Sequence, residues 1–340
     1  MKRWGEEAGF AHVAITDIGL QQHEQHLQAW LARGDHGSMG YMARHGNMRS
    51  RPDELQPGTL RVISCRLDYL PADVETVKTL QQRDTAYISR YALGRDYHKL
   101  IRKRLAALAK KIEAAGGGEH RAFVDSAPVL ERALAEQAGL GWIGKNTMLI
   151  NSKAGSLFFL GEIYTSLPLP VDQPQQTSHC GSCTSCLDKC PTDAFRAPYQ
   201  LDARKCISYL TIENSGAIPV ELRAKIGNRV YGCDDCQLVC PWTKFTQYTK
   251  EQDFHPRQQL DKAKLCTLFS WSETEFLSNT EGSPIRRIGY HAWLRNIAVG
   301  LGNAPSSIEV IEALKSRLTV DNAMVKEHIE WALAQHAEKL

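Results

Sequence analysis

CGSCTSCLDKCP, at residues 180–191, is the stretch of this chain that says most about its architecture. Its first three cysteines are separated by two residues each, and the fourth follows after three residues, directly before Pro191. This is the bacterial ferredoxin pattern, in which three neighbouring thiolates hold one 4Fe-4S cluster and the fourth reaches a second cluster. The run therefore predicts a two-cluster, ferredoxin-like module in the middle of the chain.

A second and shorter run, CDDCQLVCP at residues 233–241, lacks the first cysteine of the pattern, because Val230 stands in its place. Cys206, the isolated thiol between the two runs, supplies the missing ligand. With the crossed sharing of two-cluster ferredoxins, one cluster is predicted on Cys180, Cys183, Cys186 and Cys240, and the other on Cys190, Cys206, Cys233 and Cys236. Zinc also binds C-x2-C pairs, but it normally takes two separated pairs rather than a triplet with a trailing Cys-Pro.

The composition is that of a globular protein without an export route. The 340 residues, 43% of them hydrophobic, are enough for two or three domains, and a net charge of +3 permits an anionic partner without requiring one. The sequence has neither a signal-peptide pattern nor a membrane-spanning run, so we expect a cytoplasmic protein with no membrane partner. Reduced cytoplasmic thiols indicate metal binding rather than disulfides, and we expect the outlying Cys65 and Cys266 to be small buried hydrophobes.

Helical and strand patterns alternate upstream of the cysteines, which predicts an α/β domain over residues 1–168 with one sheet sandwiched between helices. Helices are predicted at 3–9, 20–33 and 97–115, and strands at 12–16, 60–65, 121–124 and 156–160. The proline-rich segment at 167–174 is typical of a linker. It leads into the cluster module, which we place at residues 169–250.

Residues 251–340 are predicted to be helical, with apolar positions at helical spacing in 290–299 and 325–333. The second of these stretches resembles the inner helix of a HEAT-type repeat. An ordinary helical cap over the cluster module is the alternative. The predicted fold class is thus a multidomain α/β plus α+β protein with a C-terminal helical, HEAT-like domain.

Asp125 is the most informative polar residue of the first domain, because it directly follows a predicted strand. Ser126 is suited to the N-cap of the next helix and Pro128 to its first turn. This arrangement would place the carboxylate at the crevice where open α/β sheets bind ligands. The alternative is that Asp125 merely caps the helix.

Several tracts resemble the epoxyqueuosine reductase family: YMARHG at 41–46, RSRP at 49–52, GRDYHK at 94–99, the stretches 125–147 and 288–303, and both cysteine runs. The resemblance implies a cobalamin-binding first domain, two 4Fe-4S clusters, and a C-terminal domain that helps to hold tRNA. It also implies reduction of epoxyqueuosine at the tRNA wobble position, the last step of queuosine biosynthesis. A monomer that takes electrons from an unidentified donor is expected.

The resemblance further implies that Asp125 is the proton donor. Candidate contacts to the corrin or the substrate are Arg49, Tyr97, Arg132, Lys145, Asn146 and Ser208. Asp96-x-His98-x-x-Ile101 nearly matches the D-x-H-x-x-G motif that supplies histidine to cobalt, but the glycine is absent. The family resemblance implies cobalamin without a protein histidine on the metal, so His98 is interpreted as a helix residue or a corrin-edge contact.

Two other functions remain open at this point. A non-catalytic electron carrier would use the flanking domains only as docking platforms, and a reductive dehalogenase would also join cobalamin to two clusters. In the C-terminal domain, the basic side chains that could meet tRNA phosphates are Arg286, Arg287, Arg295, Lys315 and Arg317.

Overall fold

A computed structural model describes residues 1–175 and 178–337 of the chain. Its strands are β1 (His12–Thr16), β2 (Arg61–Asp68), β3 (Tyr87–Ile88), β4 (His120–Phe123), β5 (Trp142–Ile143), β6 (Leu149–Ile150), β7 (Phe158–Thr165), β8 (Phe195–Ala197), β9 (Gln200–Leu201) and β10 (Arg229–Tyr231). Its α-helices are α1 (Lys2–Glu7), α2 (Gln21–Ala32), α3 (Tyr41–Arg44), α4 (Pro52–Leu55), α5 (Thr76–Gln81), α6 (Tyr97–Gly116), α7 (Glu131–Gln137), α8 (Ser185–Asp188), α9 (Ile207–Ile212), α10 (Val220–Ile226), α11 (Asp235–Leu238), α12 (Leu265–Ser270), α13 (Glu273–Asn279), α14 (Gly289–Asn303), α15 (Ile308–Lys315) and α16 (Ala323–Ala337).

The first part of the chain is built on a four-stranded sheet in the order β1-β2-β7-β4. Alternate residues of β7 face opposite sides: Ile163 packs with Ile101 of α6, whereas Tyr164 packs with Leu134 of α7. The sheet is therefore sandwiched between helices, as the sequence predicts, and Cys65 is wholly buried within it. All its strand pairs are antiparallel, however. Asp125 therefore does not lie at the ligand-binding crevice of an open parallel sheet, where the sequence placed it.

The chain between β4 and α7 differs from the sequence prediction. Helix α7 begins at Glu131 with Leu130 as its N-cap residue, so the prediction that Ser126 caps this helix is wrong. Before the helix, the backbone turns tightly, because the amide of Ala127 donates to the carbonyl of Val124 at 2.8 Å. The turn lets Val129 reach the sheet, where it is buried. Asp125 consequently projects from a loop rather than from a helix cap.

The C-terminal helices share a core with segments from both earlier parts of the chain. Helices α14 and α16 pack against each other through residues such as Ile297 and Ile329. The same core contains Ile88 of β3 and Val230 of β10, which form a parallel strand pair that the sequence did not predict. Cys266 is half-buried against this core. The domain boundaries and the HEAT-like character remain predictions.

Asp234, between two cysteines of the second run, joins the cluster region to the first part of the chain. Its buried carboxylate accepts hydrogen bonds from the Tyr87 hydroxyl at 2.7 Å, the Ser89 hydroxyl at 2.5 Å and the Arg90 backbone amide at 2.9 Å. Within the described residues, no helix has the length and apolar character that crossing a bilayer requires.

Candidate active site

Four cysteines of the predicted first set surround one cavity. Cys180, Cys183, Cys186 and Cys240 line a space of about 300 Å³. The loop of the first run leads into helix α8, and Cys240 precedes the short 3-10 turn Pro241–Phe245. Lys145 holds the loop in place, because its ammonium donates to the carbonyls of Gly181 at 2.7 Å and Cys183 at 2.9 Å. All four thiols are free of disulfides. We call these cysteines the outer group.

We call the other four predicted ligands, which are also free of disulfides, the inner group: Cys190, Cys206, Cys233 and Cys236. Burial raises the pKa of Cys236, and the thiols of Cys206 and Cys190 raise it further. Helix α11, which carries Cys236, packs against α8, which carries Cys186 of the outer group, so the two groups are adjacent. The structure thus gathers the outer group around one cavity and places α11, which carries Cys236 of the inner group, beside it. The assignment of four cysteines to each cluster and their role as ligands stay predictions.

Asp125 is the centre of a hydrogen-bonded group at the start of α6, formed with Tyr97, His98 and Asp96, which we call the acid site. The Tyr97 hydroxyl donates to Asp125 Oδ2, and His98 Nε2 lies 2.8 Å from Asp125 Oδ1. On its other side, His98 Nδ1 lies 2.6 Å from Asp96 Oδ1, and the Asp96 carboxylate also caps α6 by accepting from the His98 amide. His98 therefore bridges two carboxylates. The Asp125 side chain is 38% exposed, so its carboxyl group is accessible from solvent.

This arrangement changes the protonation of His98. Burial alone would lower the pKa of His98, but the hydrogen bonds to Asp125 and Asp96 outweigh it and raise the pKa to about 9. The imidazole is therefore charged at neutral pH. Burial also raises the pKa of Tyr97, and the charge of Asp125 raises it further. Tyr97 thus remains a neutral donor to Asp125.

Two further carboxyl groups lie behind Asp125. Glu162 of β7 is wholly buried, and its Oε2 has no hydrogen-bond partner among the described residues. Burial raises its pKa well above the ordinary value, and Glu131 and Asp125 add to the effect. Burial also raises the pKa of Glu131, to about 8, with Asp125 the next cause. Burial therefore favours the protonated, neutral forms of Glu162 and Glu131.

A row of aromatic rings connects the inner group with the acid site. Gln237, the residue after Cys236, donates to the carbonyl of Ser156 at 2.9 Å, and Leu157, the next residue, packs in one core with Tyr69 and Phe159. The Tyr69 ring lies 4.6 Å from that of Phe159, which stacks on Tyr97 at 3.9 Å. Tyr97 in turn bonds Asp125. The inner group thus lies towards the acid site.

The predicted corrin or substrate contacts fall into two sets. Arg49 is buried, donates to the Tyr41 carbonyl at 3.1 Å, and keeps an Nε that has no partner in the part of the chain that the structure describes. Tyr41 is exposed, so Arg49 lies close to the surface that Tyr41 forms. Exposed Arg132 lies near the acid site and donates to the Thr147 carbonyl.

The remaining predicted contacts bind to the cysteine loops. Asn146 donates to the carbonyl of Cys236 at 3.1 Å, and Lys145 holds the outer group as described above. Ser208 is half-buried in the first turn of α9, two residues after Cys206. Sequence reasoning missed His98 as a partner of Asp125. The available signal was its place beside the N-cap residue Asp96, in the first turn of a predicted helix.

A family model described as a 4Fe-4S double cluster binding domain matches residues 179–243, which contain all eight grouped cysteines. Together with the acid site and its aromatic connection, this match defines the class: an iron-sulfur redox protein with a proton-holding site beside its cluster region. A second model, described as epoxyqueuosine reductase QueG, matches residues 49–126, from Arg49 to Ser126.

Relatives that match nearly the whole chain are also epoxyqueuosine reductases. An epoxyqueuosine reductase of Pseudomonas aeruginosa is 63% identical over 99% of this chain and 94% of its own length, and that of Escherichia coli is 56% identical over 100% and 89%. A solved epoxyqueuosine reductase from Streptococcus thermophilus superposes with a TM-score of 0.88 at 26% identity, covering 99% of this chain and 90% of that one. Another, solved with an epoxyqueuosine-modified tRNA-Tyr stem loop, superposes with a TM-score of 0.84 at 26% identity, covering 98% and 97%.

The chain belongs to the epoxyqueuosine reductase family. It is therefore an oxidoreductase, and the alternative of a non-catalytic electron carrier is wrong. The reductive dehalogenases, which the sequence left as an alternative, are a different family.

Proposed function

We propose that this protein reduces the epoxide of epoxyqueuosine in tRNA to the alkene of queuosine, with electrons from two 4Fe-4S clusters and with cobalamin as the reactive cofactor. The observation that carries the proposal is the Asp125 carboxyl, held by Tyr97 and His98 and connected through aromatic rings to the inner group. The tRNA stem loop bound to a structurally similar reductase supports the choice of substrate.

The eight grouped cysteines suit two cubane clusters. Thiolates are the usual ligands of iron-sulfur clusters, and four for each cluster leave no ligand over and none short. The packing of α8, which carries Cys186, against α11, which carries Cys236, suits electron transfer between the clusters. We assign Lys145 and Asn146 to this part of the molecule, because they hold the cysteine loops rather than face Asp125.

The residues around Asp125 also fit a corrin. The buried Arg49 Nε is a donor without a partner among the described residues, and beside it Tyr41 and Met48 expose apolar surface. A corrin has an apolar face that would pack on Tyr41 and Met48. Amide side chains at its edge would accept a hydrogen bond from Arg49 Nε. Arg49, Tyr97, Arg132 and Ser208 are the residues proposed to hold it. When bound, cobalamin supplies a low-valent cobalt centre that can pass electrons to the epoxide.

The protein contributes the proton. Conversion of an epoxide to an alkene consumes two electrons and two protons and releases water, so the departing oxygen must be protonated. Asp125 delivers this proton from the charged His98 imidazolium that is paired with it, while Tyr97 fixes the orientation of the carboxyl. His98, charged at neutral pH, can return a proton to Asp125 after each turnover.

Replacing Asp125 tests the proposal. Asp125→Asn should retain iron, sulfide and added cobalamin but lose turnover by about a hundredfold or more, since an amide cannot donate a carboxyl proton. Metal and sulfide content and nucleoside analysis of the tRNA are the measurements. The matched control is Asp321→Asn at an exposed position of the C-terminal part. Near-normal conversion by Asp125→Asn would refute the role of Asp125.

A further inference from the structure

The outer group lies beneath a surface that the reaction at Asp125 does not use. His179, Lys244 and Phe245 are exposed around the cavity lined by these cysteines. Aromatic rings support the surface from below, since Trp242 lies 5.2 Å from the ring of Trp142 and 5.6 Å from that of Phe245. These ring contacts form a well-packed, partly apolar surface over the four thiols of the outer group. We call it the outer face.

The charge of the outer face is positive. Lys145 and Lys244 line the cavity, and no carboxylate does so among the described residues. Exposed Lys153 is adjacent, because its carbonyl accepts the amide of Gln247 at 2.9 Å. One acidic exception nearby is Asp188, whose carboxylate accepts a hydrogen bond from the Thr184 hydroxyl at 2.7 Å and whose charge is offset by the exposed Lys189 beside it. Lys244 lies over the Phe245 ring, 5.0 Å from its centroid.

The two cysteine groups have different neighbours, and this difference gives electron flow a direction. On the side of the inner group, Gln237, the residue after Cys236, donates to the Ser156 carbonyl at 2.9 Å. Phe159, three residues after Ser156, stacks on Tyr97, which bonds Asp125. The outer group adjoins the inner group where α8, which carries Cys186, packs against α11, which carries Cys236, and it opens on the outer face. An electron that starts at the outer face therefore reaches the acid site by the order outer group, inner group, aromatic row.

We infer that the outer face is the docking surface for a small acidic one-electron carrier protein, which reduces the cluster of the outer group. The inference rests on the proposed function, because it requires clusters on these cysteines. The carrier is oxidised by one electron and the cluster is reduced by one electron, with no bond made or broken, and two such events supply one turnover. Lysines steer the acidic partner and the aromatic surface permits close contact, which suits a small and transient interface.

A reduced flavodoxin, an acidic flavin protein, is the probe. The holoenzyme is mixed with it under anaerobic conditions, and the bleaching of cluster absorbance gives the reduction rate. Lys244→Glu should lower the second-order rate about tenfold at low ionic strength, and the difference from the unaltered protein should shrink as salt is added. Phe245→Ser should lower the rate at all salt concentrations. Excess dithionite should reduce every variant to the same extent, which shows that the clusters are intact.

Matched substitutions elsewhere control for charge and surface. Lys110→Glu makes the same charge change on α6, and Leu277→Ser removes a comparable exposed apolar side chain on α13. Both should match the unaltered protein. Equal flavodoxin rates for Lys244→Glu and Lys110→Glu would overturn the inference, as would a Lys244→Glu variant that loses tRNA affinity while flavodoxin still reduces it normally. If the unaltered protein converts no epoxyqueuosine with dithionite, the proposed function fails, whatever the docking result.

Discussion

A histidine between two carboxylates retains its proton, and His98 occupies such a position between Asp96 and Asp125. Its pKa of about 9 lies above the ordinary value of 6.5, so the imidazole is charged at neutral pH and loses its proton as the pH rises through about 9. Asp125 thus has a charged hydrogen-bond donor on one oxygen and the Tyr97 hydroxyl on the other. The acid of this site is a pair of residues rather than a single carboxyl.

This pairing predicts the pH dependence of turnover. The unaltered protein should lose activity as the pH rises through about 9, because His98 then no longer supplies a proton. His98→Gln can keep a hydrogen bond to Asp125 but carries no titrating proton, so turnover at neutral pH should fall about a hundredfold and the alkaline decline near pH 9 should disappear. Dithionite-driven conversion of tRNA, measured from pH 6 to 10, is the test.

His26→Gln, at an exposed position of α2, is the control and should leave the profile unchanged. A His98→Gln profile that still declines near pH 9 would show that another group is responsible.

The start of α6 sets the position of the acid site, and Gly94 makes that start possible. The chain at Asp253 and Phe254 crosses directly over Gly94, and the amide of Arg95 donates to the Asp253 carbonyl at 2.6 Å. A Cβ on Gly94 would lie 2.3 Å from that carbonyl oxygen and 2.7 Å from the Phe254 Cα. Backbone atoms cannot rotate away as a side chain can. The glycine therefore allows this crossing two residues before the N-cap Asp96.

Gly94→Ala should consequently destabilise the protein by about 2 to 4 kcal/mol, comparable to overpacking of a core with backbone displacement. The start of α6 must move, so the alkaline decline of turnover should shift as well. Thermal unfolding of the cluster-loaded protein and the pH profile are the measurements. Gly40→Ala is the control, since a Cβ there meets nothing within 4 Å. Equal melting temperatures for the two variants would contradict this account of the crossing.

The three parts of the molecule are held together by shared cores and buried polar contacts. Ile88 and Val230 pack among the C-terminal helices, and Asp234 bonds the cluster region to the segment around Ser89. Of the basic residues considered for tRNA, Arg295 is wholly buried and bonds the carbonyls of Leu210, Asn214 and Gly216, so it serves the fold rather than a phosphate.

The other basic candidates differ in how far they are engaged. Arg287 is paired with Glu213 at 2.5 Å, and Arg317 bonds the Trp271 carbonyl at 2.8 Å. Arg286 and Lys315 remain exposed. We therefore expect Arg286, close in sequence to the start of α14, to be the better probe of a phosphate contact than Arg295.

Arg286→Glu should weaken tRNA binding and reduce the slope of log affinity against log salt by about 1, because one phosphate contact is lost. Binding is measured with the cluster-loaded protein over a range of salt concentrations, and Lys110→Glu controls for the change in net charge. An unchanged salt slope for Arg286→Glu would argue against a phosphate contact at this position.

Cysteine spacing was sufficient to predict the cluster module, because a ferredoxin run encodes its ligand geometry in a few neighbouring residues. Helix and strand positions such as α6 and β1 followed from local periodicity in the same way. Local patterns do not report how distant segments pair. The antiparallel order of the sheet, the contact of His98 with Asp125 and the β3–β10 pair therefore emerged from the folded molecule. Each depends on contacts between residues far apart in the chain, where burial and hydrogen bonding outweigh local preference.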